Sequence, residues 1–104
     1  MIILQEKKLA EEWEDISKKD FLTFIRSAAN RKMSLFEVGP DDYWVQNAKL
    51  TYSSSGTLLL QDSAGFVVGF DAKSVRERVG RFAGARGMVF NFIAAGKELK
   101  LTVH

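Results

Sequence analysis

Cysteine is absent from the 104-residue chain, proline occurs once, and the single histidine is the last residue. Without cysteine there is neither a disulfide framework nor a thiolate zinc site. With no histidine before His104, a position expected to fray, Ser-His-Asp triads, Cys-His pairs and imidazole metal sites are unavailable. No Walker A, G-x-S-x-G or H-E-x-x-H sequence occurs. Nor is there an N-x-[ST] acceptor, because Asn30, Asn47 and Asn91 are followed two residues on by Lys32, Lys49 and Ile93. The opening Met1-Ile2-Ile3-Leu4 turns charged at once, so no signal-peptide core is expected, and no run approaches the ~18 apolar residues of a membrane span. The expectation is a cytoplasmic protein that is not an enzyme, with no cofactor, no metal site and no membrane contact.

What is present suits one folded domain over residues 1–104. Hydrophobic residues make up 46% and aromatic residues 12% of the chain, enough for a core without staples. Net charge is +2, unevenly placed: residues 1–42 carry a net −2 and residues 43–104 a net +4. That polarity permits an acidic partner without demanding one.

Periodicity sets out the elements. Met1–Leu4 reads equally as strand or helix lead-in. Leu9, Trp13 and Ile16 fall on one helical face. Ser17 is placed to cap a second helix, with Asp20 in the capping-box position and Arg31 and Lys32 at the end, so that residues 5–32 read as a helical pair. A β-rich stretch over 35–70 follows. Leu35–Val38 and Tyr43–Val45 read as short strands around Gly39–Asp42, itself either a turn or a helix start. Lys49–Ser53, Thr57–Gln61 and Phe66–Phe70 read as a meander whose turns end in Gly56 and Gly65. Asp71 is placed to cap a helix over 72–82, with Val75, Val79 and Phe82 at helical spacing. Residues 88–103 read as a hairpin about Ala94–Lys97. The fold class expected is α+β: N-terminal helices packed on a mostly antiparallel sheet or partial barrel of about five to six strands, with one crossover helix near 72–82.

Two groups of side chains could carry chemistry. Glu11, Glu12, Glu14, Asp15 and Asp20 crowd the first helices, and Asp41-Asp42 follow Pro40. Carboxylates hold a metal or move protons only when buried and convergent, whereas these read as a solvated face and a turn. The second group is Lys73, Arg76, Arg78, Arg81 and Arg86, opposed within that segment only by Glu77. Guanidinium groups suit bidentate capture of phosphate or carboxylate, and the glycines at 80, 84 and 87 could let backbone N–H groups approach an anion. The plain alternative is a surface helix with arginine stems lying over apolar surface. Single-stranded nucleic acid would also need exposed aromatics, for which Phe66 and Phe70 are candidates. The sheet must in addition manage its edges, and Lys97, Glu98 and Lys100 look like edge protection on the last strand.

The function expected from these features is a small protein-binding module, a regulator, adaptor or inhibitor. The alternative is a nucleic-acid-binding domain using the 73–86 segment. A homodimer through a sheet edge is a further arrangement open to this fold class.

Overall fold

A computed structural model describes residues 13–104. The chain runs β1 (Glu14–Ser17), α1 (Lys18–Ser27), β2 (Lys32–Glu37), β3 (Asp42–Tyr52), β4 (Thr57–Gln61), β5 (Val67–Asp71), a 3-10 turn (Ala72–Ser74), β6 (Arg78–Gly84), β7 (Gly87–Ala94) and β8 (Lys97–Val103). All eight strands join one antiparallel sheet in the order β1-β6-β7-β8-β2-β3-β4-β5. Its inner face wraps α1. Phe70 of β5 meets Phe92 of β7 at 5.3 Å between ring centroids although four strands lie between them in the sheet. The sheet therefore curls strongly.

This corrects the expected fold class. The described chain is mostly sheet, with eight strands rather than five or six, and one α-helix rather than an N-terminal pair with a crossover helix. The first expected helix lies largely outside the described residues, and its described end is β1. Trp13 and Ile16 have helical spacing but serve opposite faces: Ile16 is opposite Val79 and packs on the core, while Trp13 stacks edge-on against Phe82 at 4.4 Å. The expected second helix is α1, and it stops at Ser27, so Lys32 opens β2 instead of closing a helix.

The helix expected over 72–82 is also overturned. Asp71 does cap, its carboxylate accepting from Lys73 N–H at 2.9 Å, but only a single 3-10 turn follows. Residues 78–84 carry Val79, Gly80 and Gly84, poor helix formers, and gain ladder partners on both sides, from β1 and from β7. The three residues with helical spacing divide accordingly. Val75 and Val79 are buried, whereas Phe82 faces outward.

Elsewhere the expected elements are found. Ser17 Oγ accepts from Asp20 N–H at 3.0 Å and starts α1. The meander is β3-β4-β5, its turns closed by Gly56 and Gly65 at φ 93° and 95°, a region open to glycine at little cost. The hairpin β7-β8 turns on Ala95 and Gly96, both at positive φ as a type I′ turn requires. Tyr43–Val45 and Lys49–Ser53, read as separate strands, merge into β3, which bulges where Asn47 takes φ 52°.

The core sits between α1 and the inner face. Phe21 and Ile25 of α1 are fully buried, with Phe21 5.0 Å from Phe90 and 4.8 Å from Phe92. Alternation continues across the sheet through Leu99, Leu101 and Val103, Met33 and Leu35, Leu50, and Leu58 and Leu60. Each such side chain contributes about 1.5–3 kcal/mol by leaving water.

Candidate functional site

The basic segment does not form one surface. Lys73 lies exposed in the 3-10 turn, and its carbonyl accepts from Lys18 Nζ at 3.2 Å. Arg76 is exposed on the link to β6, where its N–H bonds Ile93 O. Arg78 and Arg81 are three residues apart in β6 and face opposite ways. Arg81 donates to Glu14 from Nε at 3.0 Å and from a terminal nitrogen at 2.7 Å, and Arg78 reaches Asp15 at 3.9 Å. These two arginines thus fasten edge strand β1 to β6. Arg86 alone projects from the β6-β7 hairpin onto the outer face.

The acidic residues are placed just as differently. Glu14 and Asp15 sit on a strand rather than on a helix face, and Asp20 lies in the first turn of α1. Asp41 occupies the turn before β3 and accepts from Gly39 N–H at 3.4 Å. Among the described residues no three metal-binding side chains converge.

Three surface features remain. The first is a basic hollow of about 390 Å³ on α1, lined by Lys18, Lys19, Leu22, Thr23, Arg26 and Glu77. Arg26 also lies over the Tyr52 ring at 5.4 Å.

The second is a groove of about 260 Å³ on the outer face. Its floor follows one line of the ladder, with Phe82 opposite Val89, Val89 opposite Thr102, and Thr102 opposite Ser34. Gly84, Ala85, Arg86, His104 and Tyr43 also line it. His104 is held rather than frayed: its N–H bonds Lys32 O at 2.8 Å, its carbonyl accepts from Arg31, and Nε2 meets Ser34 Oγ at 2.8 Å. Ser34 Oγ also accepts from Asn47 N–H at 3.0 Å, which ties the β3 bulge to this corner.

The third is the β5 edge. Two backbone bonds set the phase of its ladder, Asp62 N–H to Phe66 O at 3.0 Å and Ala72 N–H to Gly56 O at 3.0 Å. In an antiparallel pair the bonded residues alternate, so Val68 and Phe70 bond toward β4. Val67, Gly69 and Asp71 then direct their N–H and C=O away from the sheet, and all three residues are exposed. Beside them Phe66 is 69% and Val67 52% exposed. Phe70, the other aromatic singled out from the sequence, belongs to the core.

The edge expected at the last strand is not one. β8 lies between β7 and β2, and its charges make contacts along the sheet, Lys97 with Glu37 at 3.7 Å and Glu98 with Asn91 at 3.1 Å. The true edges are β1, which carries Glu14 and Asp15, and β5, whose residues 67–70 carry no charge. The signal for β5 was the uncharged Phe66–Phe70 run, but strand order alone turns such a run into an edge.

No protein family, curated protein or solved structure matches the chain.

Proposed function

We propose that this protein is a non-enzymatic protein-binding module that takes an extended segment of another protein onto β5. The observation that carries the reading is the outward backbone of Val67 and Gly69, with the N–H of Asp71, whose carbonyl accepts from Ser74 Oγ at 2.7 Å, beside exposed Phe66 and Val67. An edge whose Val67 and Gly69 turn N–H and C=O groups outward, with no charge or proline across residues 67–70, accepts a further strand, with the backbone supplying affinity and the flanking side chains specificity.

The chemistry of the partner follows from the surroundings. A second copy of the chain pairing edge to edge would set one five-residue β5 against another. A flexible segment can pair with the edge and also lie over Phe66 and Val67. Asp71 ends the strand with no cation within ion-pair distance among the described residues. The segment that fits best is apolar at alternate positions, with a lysine or arginine toward Asp71.

Photo-crosslinking tests this. With p-benzoylphenylalanine in place of Phe66, an adduct to another protein is expected, through an extended segment of that composition, and Val67→Lys is expected to remove it. The same crosslinker at exposed Thr23 should give no such adduct. An adduct unchanged by Val67→Lys, one joining only copies of the chain, or none at all would contradict the reading.

A further inference from the structure

The outer-face groove has no part in the β5 edge, and its chemistry is of another kind. Its floor is built from short side chains, Val89, Thr102 and Ser34, with the Phe82 ring at one end and the Tyr43 ring at the other. Strands spaced about 4.8 Å apart make the line from β6 to β3 roughly 19 Å long. Trp13 packs edge-on against Phe82 from the β1 side, and Phe36 on neighbouring β2 packs edge-on against Tyr43 at 5.0 Å, so each ring has one aromatic neighbour. Arg86 reaches this groove and, unlike Arg78 and Arg81, is in no ion pair among the described residues. Lys32, Lys49 and Lys100 occupy the same face in alternation with the buried inner residues, and Glu98 is already bonded to Asn91.

A cation with two-pronged geometry, the Thr102 hydroxyl and aromatic rings at the ends of a trough match a ligand with phosphate and a flat ring. The phosphate takes the guanidinium, and the ring stacks on an aromatic side chain. We propose that this groove is a nucleotide site, with Arg86 holding the phosphate and Phe82 or Tyr43 the base. The volume, about 260 Å³, falls below the roughly 300–1,000 Å³ of a ligand pocket that encloses its occupant, so the occupant is one nucleotide or a short stretch of single strand lying partly in solvent. Two aromatics roughly four strands apart exceed the reach of one base and leave room for a second.

The test is an NMR titration of the whole chain at low salt with adenosine 5′-monophosphate, adenosine, inorganic phosphate, and an oligodeoxyadenylate of about eight nucleotides. The monophosphate is expected to shift the amides of Gly84, Arg86, Val89 and Thr102, and adenosine to bind at least about tenfold more weakly, as loss of a charge-assisted pair requires. Arg86→Ala should weaken the monophosphate by a similar factor while Arg76→Ala leaves it unchanged, with the amide spectra of both variants otherwise native. An oligomer that binds more tightly than the monophosphate, with a salt-dependent affinity, identifies single strands as the source; equal affinity identifies the free nucleotide. No shift at millimolar monophosphate, shifts centred on α1, or adenosine binding as well as its phosphate would overturn the proposal. None of these outcomes bears on the β5 edge.

Discussion

At the scale of single residues, the polar contacts with most at stake are those that are partly buried. Ser34 is the one buried polar residue among those described, and its hydroxyl serves both the Asn47 N–H of the β3 bulge and His104. Ser34→Ala leaves that N–H without its partner, so a loss of about 1–2 kcal/mol is expected in urea unfolding; a change under a few tenths would mean that water replaces the hydroxyl. The arginines that looked functional behave differently. Arg81 is 28% exposed against 60% for Glu14, and a pair so open to solvent contributes less than about 1 kcal/mol. Arg81→Ala is therefore expected to shift the urea midpoint only slightly, and Arg78→Ala less still. No spacing rule distinguishes such pairs from a binding patch, because their partners lie some 60 residues away: Arg81 is separated from Glu14 by 67 positions.

At the scale of elements, α1 is the part of the fold most dependent on a few side chains. Ser17 starts it and Phe21 and Ile25 anchor it. Ser17→Ala is expected to cost about 1 kcal/mol and Phe21→Ala about 3–5 kcal/mol, both measurable by urea unfolding; equal effects from the two would contradict a helix held mainly by its buried face. The elements legible in the sequence were those fixed by local rules, namely the Ser17 cap, the Gly56 and Gly65 turns and the β7-β8 alternation. Those misread were decided from afar. Val75 and Val79 fit a helical period and one strand face alike, Phe82 fits only the helical period, and the choice rests with ladders to β1 and β7 that no window of residues 72–82 contains. Trp13 and Ile16 were ambiguous for the same reason. Glu14 and Asp15 looked like the wet side of a helix because their partners, Arg81 and Arg78, were themselves assigned to another helix.

At the scale of the whole molecule, strand order decides what the surface can do. It places the charged last strand in the interior of the sheet and leaves β5, uncharged over residues 67–70, at the rim. It also scatters the basic segment over a turn, a link, two faces of β6 and a hairpin, so a single arginine-rich surface does not exist to be read. Amide hydrogen exchange tests the role given to β5 most directly. In the free protein, Val67 and Gly69 are expected to exchange fast while Val68 and Phe70, bonded to β4, are protected. An antiparallel peptide sets its N-terminus beside Asp71, so a synthetic Lys-Val-Thr-Val-Thr is the matching probe. At a concentration about ten times its Kd it should slow exchange at Val67 and Gly69 by roughly tenfold and leave β7 and β8 unchanged. Protected Val67 and Gly69 amides in the free protein, or amides indifferent to the peptide at millimolar concentration, would contradict an open edge that receives a partner strand.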